Sequence, residues 1–230
     1  MKNSAVASAD ISFKNLRRLY IFALLTIAIT VLLSQLLIQY NLHSQLSDSR
    51  IINISGKQRM LSQKLTKEIL ILNFIADAKN NKNEIDQASE IIKLWKFNHN
   101  ALENGNDSLG FPKEKSKELS DLFSAIKPNF DNILDAATTF LSNKKLGIKE
   151  DENQELVQII LENQGAFLDK MNQIVGQYDK EALEKVTLQS KTEYGILLFT
   201  ILVLLLEFVF IFKPTNKKVE KLISKLLYSE

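Results

Sequence analysis

Two stretches of the chain show no alternation between apolar and polar positions. Residues 19–39 (LYIFALLTIAITVLLSQLLIQ) run 21 positions without a charge, and residues 195–212 (GILLFTILVLLLEFVFIF) run 18 positions with one, Glu207. A helix rising ~1.5 Å per residue crosses a ~30 Å hydrocarbon layer with about 20 residues. Each stretch therefore predicts a membrane-spanning helix. The first is long for the apolar core of a cleaved signal peptide, and no small-residue cleavage pattern follows it, so it reads as an uncleaved anchor.

Between them the pattern has a helical period almost throughout. The first helix is predicted to leave the membrane and run to about Ala78, where KNNKN (79–83) supplies turn chemistry. A second runs from about Glu84 to Glu103, with an apolar stripe of Ile85, Ala88, Ile92, Trp95, His99 and Leu102. NGNDSLGFP (104–112) reads as a loop. A third helix runs from about Lys113 to Ser142. Its Leu119, Phe123, Ile126, Phe130, Ile133, Ala137 and Phe140 step alternately by four and three, a heptad seam. Pro128 lies inside it and predicts a kink near Lys127. NKKLG (143–147) opens a turn, and a fourth helix runs from about Asp151 into the second span with Leu168, Met171, Val175, Tyr178 and Ala182 on one stripe. Four amphipathic helices on short connections hide their stripes by packing together. The expected fold is all-α: an antiparallel four-helix bundle continuous with two transmembrane helices. Trp95 and the phenylalanines read as packing, and His99 as a core or boundary histidine.

Charge sets the orientation. Lys2, Lys14, Arg17 and Arg18 precede the first span; Lys213, Lys217, Lys218, Lys221 and Lys225 follow the second. Basic flanks mark the cytoplasmic side, which predicts a cytoplasmic segment 1–18, spans at 19–39 and 195–212, a bundle at 40–194 outside the cytoplasm, and a cytoplasmic tail 213–230. In a Gram-negative bacterium this is an inner-membrane protein with its bundle in the periplasm. Val219, Leu222, Ile223, Leu226 and Leu227 predict an amphipathic helix in the tail. Nothing after Pro214 reads as a kinase, a cyclase or a methyl-accepting hairpin, so either the output is expected from a separate cytoplasmic signalling partner or the chain is a shortened relative of longer receptors. Glu207 has two readings: an acid near one interface that snorkels, or a polar contact between helices.

Composition narrows the function. Seven glycines and three prolines in 230 residues fit long helices. A net charge of +2 gives no reason to invoke nucleic acid. There is no cysteine, and the two histidines, His43 and His99, lie far apart in sequence, so neither a metal nor another cofactor is expected. No phosphate loop or serine–histidine–acid arrangement points to an enzyme.

The remaining feature is GKQRMLSQK (56–64), where a glycine and three cations interrupt a long helix. Arg59 can donate two parallel hydrogen bonds to an oxyanion. Gly56 costs roughly 1 kcal/mol of helix propensity relative to alanine, which points to close approach by a neighbouring helix or a ligand. The alternative is a buried polar seam of Gln58, Arg59, Ser62 and Gln63 that fixes bundle or dimer register, with Lys57 and Lys64 solvated. Both readings remain open.

INISGKQRMLSQKL (52–65) resembles the signature of the PilJ-type sensor domain of type IV pilus methyl-accepting chemotaxis transducers, with Ser55 and Lys57 in place of the usual alanine and arginine. HNALENGNDSLGFP (99–112), FLDKMNQIVGQYDKEALEKV (167–186) and LLLEFVFIFKP (204–214) resemble further segments of that family. The first motif is also similar to the anion-binding segment of nitrate/nitrite sensor kinases, where symmetry-related arginines bind the ligand across a dimer. Arg59 and Met60 align with that segment, and Lys64 stands where its second arginine would be. The resemblance implies a homodimeric sensor module with a small anion ligand and candidate contacts Lys57, Gln58, Arg59, Ser62, Gln63 and Lys64. The rival is a membrane adaptor whose bundle binds another protein.

Overall fold

The computed structural model describes residues 2–74, 82–148 and 150–227. Helix α1 spans Lys2–Phe74, α2 Lys82–Asn104, α3 Lys117–Leu146, α4 Glu150–Glu207 and α5 Lys213–Leu227. A 3₁₀ turn, Asp107–Leu109, precedes α3, and a π turn, Phe208–Phe212, joins α4 to α5. The described residues contain no strand, only an isolated bridge between Asn106 and Phe111. The expected end of the first helix at Ala78 and most of the KNNKN turn lie outside the described residues. The chain divides into two compact units, Ser44–Glu184 and Met1–His43 with Lys185–Glu230.

Within Ser44–Glu184 the contacts give the helix directions. Ser116, Asn129 and Asn143 of α3 bond to Glu181, Asn163 and Asn153 of α4, so one number rises as the other falls. Aromatic contacts pair Trp95 and His99 of α2 with Phe130 and Phe123 of α3 in the same falling order. These pairings are antiparallel, as in an up-down-up-down bundle.

All seven seam residues of α3 are buried, and α2 buries five of its six expected positions, with Ile92 half-buried. On α4 the core face is rotated slightly from the expected stripe: Met171 belongs to both, and Val175 and Tyr178 pack against the core half-buried. Phe167, Met171 and Ile174 are buried, while Leu168 and Val175 flank them. Both sets keep heptad spacing. Phe167 is the side chain that meets Trp95, at 5.1 Å between ring centroids, and that contact fixes the rotation.

The helix ends differ from expectation for local reasons. α3 begins at Lys117, four residues late, because Ser116 caps it: its Oγ accepts from Leu119 N–H at 3.1 Å and donates to Glu181. It ends at Leu146, where Gly147 takes a left-handed conformation and donates its N–H to the Asn143 carbonyl. Pro128 sits inside α3 without ending it. Proline cannot donate to the carbonyl four residues back and crowds the turn before it. Lys170 Nζ of α4 donates to the Ala125 carbonyl at 2.9 Å and to Asn129 Oδ1 at 2.7 Å, next to the Ser124 carbonyl that Pro128 leaves without its usual donor.

The other unit holds the two apolar stretches. Both lie in helices long and apolar enough to cross a membrane, with mostly exposed Leu, Ile, Val and Phe side chains. Their threonine hydroxyls are satisfied internally: Thr26, Thr30 and Thr200 donate to carbonyls four residues back. Asn41 Nδ2 donates to Glu193 Oε1 at 3.3 Å. The second stretch is not α-helical throughout. Its last turn is the π turn 208–212, closed by the Lys213 N–H on the Phe208 carbonyl. Pro214 explains it, since its ring needs space where an α turn would hold the Phe210 carbonyl. Glu207, the residue before that turn, is 8% exposed, whereas neighbouring Leu206 and Phe208 are 48% and 60% exposed.

Candidate functional site

At about 100° per residue, the nine positions of the 56–64 motif wrap the whole circumference of α1. The structure accordingly distributes the candidate residues over three faces. Gln58 and Ser62 are fully buried. They continue an inner polar stripe with Ser55 and Thr66, whose hydroxyls bond to the helix's own carbonyls at Ile51 and Ser62, as that of Ser62 does at Arg59. Lys57, Gln63 and Lys64 are exposed, along with Met60. Arg59 lies between these faces, and its Nη1 donates to Asn172 Oδ1 on α4 at 2.7 Å.

Asn172 belongs to the Met-Asn segment of α4, so two of the quoted motifs touch. The others in this unit do as well. Ser47 Oγ of α1 donates to the Gly110 carbonyl at 2.6 Å, and Arg50 donates to the Leu109 carbonyl at 3.1 Å, which holds the 104–112 loop. The loop keeps its shape because Gly105 has a φ of 78° and a Cβ there would sit 2.7 Å from Lys113 Cα. At the start of this segment Tyr178 donates to the Leu102 carbonyl at 3.4 Å. Burial raises the Tyr178 phenol well above its usual range, with Glu181 acting in the same direction, so it remains a hydrogen-bond donor.

Beneath this junction the core is aromatic and incompletely satisfied. His99 stacks on Phe130 at 3.7 Å between ring centroids and is 1% exposed. Burial pushes its imidazole down to about 4; Lys127 adds to that effect and Asp131 opposes it. Among the described residues, neither end of the Gln58 amide, nor Trp95 Nε1, nor His99 Nδ1 has a hydrogen-bond partner. A buried polar group left without a partner carries a desolvation cost of roughly 1–3 kcal/mol. Among the described residues no three His, Cys, Asp or Glu side chains gather as a metal site.

Asn172 is the residue that sequence reasoning missed. It lies 113 positions from Arg59, a pairing that no local spacing reveals; its place in a quoted motif was the available clue. Gly56 has a concrete surrounding too. A Cβ built there meets Arg59 Nη2 at 3.5 Å, an ordinary contact. Replacing Gly56 with alanine is expected to stabilise the bundle by roughly 0.5–1 kcal/mol through helix propensity, read by chemical denaturation followed by circular dichroism.

The motif-bearing segments of the bundle thus meet at a junction of α1 and α4. Residues 40–152 match the family described as "Type IV pili methyl-accepting chemotaxis transducer N-term". No curated protein and no solved structure matches the chain. That match and the two long apolar helices point to a membrane-associated bacterial signalling protein.

Proposed function

We propose that this protein is a membrane-anchored sensor whose bundle, residues 40–194, lies outside the cytoplasm between spans at 19–39 and 195–212. Ligand or partner binding at the α1–α4 junction shifts one helix against the other. The observation that carries this reading is the Arg59–Asn172 hydrogen bond. It joins α1 to α4 through the one motif cation whose geometry suits an oxyanion. A small anion that takes the guanidinium competes with Asn172 and loosens that link. α1 and α4 each contain both a core-facing stretch and an apolar stretch in a single helix, so displacements of ~1–2 Å between packed helices have a route along them. The exposed face of α1 carries Lys57, Met60 and Lys64 beside Gly56 and suits a second copy of the chain, which would bring a second Arg59 to the anion.

One observation favours a second reading. Leu94 and Phe97 lie exposed on α2, 50% and 51%, where an adaptor could dock another protein. Thermal melting of the full chain in detergent micelles, with nitrate, nitrite, sulfate or small carboxylates, separates the two. A sensor gains several degrees with one of these anions, loses that gain in Arg59→Ala and keeps it in Asn172→Ala. Absence of a shift with every anion, or a shift indifferent to Arg59→Ala, overturns the anion-sensor reading and leaves the adaptor.

A further inference from the structure

The helix that follows the second apolar stretch has a composition unlike the rest of the chain. α5, Lys213–Leu227, contains five lysines and one acid, Glu220, a net +4 in 15 residues. Val219, Ile223 and Leu227 recur every fourth residue and are 46%, 52% and 73% exposed. At about 100° per residue they fall on one arc, and Lys217 and Lys221 lie about 160° from Val219 on either side. Both lysines are exposed.

The beginning of α5 has a defined level within its own unit. Phe212, the residue before it, meets Tyr20 of α1 edge to face at 6.4 Å between ring centroids. Tyr20 follows Arg17 and Arg18, both exposed, and Lys213 opens α5 and is exposed as well. Aromatic rings next to basic side chains at the end of an apolar stretch mark the headgroup region of a bilayer. The helix therefore starts where phospholipid headgroups are. It starts just after a π turn and with Pro214 in its first turn, two features at which helix axes change direction.

We propose that α5 is a lipid-reading helix: it lays Val219, Ile223 and Leu227 on the bilayer surface, held there by attraction between its lysines and anionic phospholipid headgroups. Charge complementarity selects this occupant over a second copy of the chain. Two α5 helices packed on their apolar arcs would set +4 against +4, whereas an anionic leaflet attracts each lysine within a Debye length of it. Each lysine near such a surface favours the bound state by roughly fivefold. The lipid composition of the leaflet would thereby set the direction in which the chain leaves the membrane.

This inference rests on the reading that the apolar stretches cross a membrane, and the experiment tests the two separately. The chain has no cysteine, so a nitroxide can be placed uniquely at Ile223→Cys or, as a control for the span, at Leu33→Cys. Full-length protein is reconstituted in nanodiscs of phosphatidylcholine with or without phosphatidylglycerol. The Leu33 label is expected to collide with oxygen rather than with a water-soluble nickel chelate in both lipids. The Ile223 label is expected to show a severalfold higher oxygen-to-nickel ratio with phosphatidylglycerol than without. That increase should disappear in Lys217→Glu/Lys221→Glu, which takes α5 from +4 to zero. A water-exposed Leu33 label removes the membrane reading. A lipid-exposed Leu33 label with an Ile223 label unresponsive to phosphatidylglycerol, or broadened by a second label, overturns the proposal for α5 alone.

Discussion

Replacing Phe130 with alanine is expected to lower the unfolding free energy by about 3–5 kcal/mol. Phe130 is 3% exposed and lies at the centre of the aromatic core. Its ring is 3.7 Å from His99, 4.5 Å from Trp95 and 6.4 Å from Phe167 between centroids. Truncation removes the transfer free energy of a phenyl group and leaves a cavity that three rings from α2 and α4 cannot all move to fill. The loss goes beyond area, since the stacked and edge contacts disappear as well. The measurement is convenient because Trp95 is the only tryptophan. Urea titration of the full chain in micelles, followed by Trp95 emission, should give a lower midpoint and a red-shifted native spectrum. Phe97→Ala on the same bundle is the control; half-exposed on α2, it should change stability by no more than about 0.5 kcal/mol. Equal losses at the two positions would show that the aromatic cluster is not the core.

The contrast between these two phenylalanines shows what a single sequence reveals. The α3 seam was legible to the last residue because its period is a property of the local helix, and Pro128 did not interrupt it. Phe130 could be assigned to the core, and Phe97 left out of it, from spacing alone. The face of α4 was less legible: Phe167 and Leu168 both continue a heptad pattern, and only the shape of the cluster formed by Trp95 and Phe130 chooses the phenylalanine. The π turn was not foreseen, because a proline at position 214 is equally compatible with a plain helix start. At the candidate site the motif could be read as residues but not as a surface. Gln58 and Ser62 turn inward, Lys57 and Lys64 outward, and Arg59 finds its partner across the bundle. Sequence adjacency merges faces that helical geometry separates.

The second large effect is a loss of stability in mild acid, traced to His99. The imidazole has an ordinary value near 6.5 and is held at about 4 in the fold. The unfolded chain therefore takes up a proton at His99 as pH falls through about 6.5, while the folded chain resists until about 4. Stability from this residue is complete above about pH 6.5, declines below it, and stops declining once the folded state protonates near pH 4. A separation of about 2.5 units corresponds to roughly 3 kcal/mol. Desolvation is the main cause, so the effect belongs to the position between Phe130 and Phe123 rather than to one charge. On α3, Lys127 strengthens the effect and Asp131 opposes it. Carboxylates elsewhere also lose stabilising contacts in acid, which makes the informative quantity a difference between two proteins. Urea midpoints of the wild-type chain and of His99→Phe, measured from pH 7.5 to pH 4.5, should diverge. The wild type should lose roughly 2–3 kcal/mol more across that range, because phenylalanine keeps the ring stack and has no proton to take up. Parallel curves for the two proteins would mean that His99 reaches water in the folded state, and the closed aromatic interior described for the bundle would have to be redrawn as an open one.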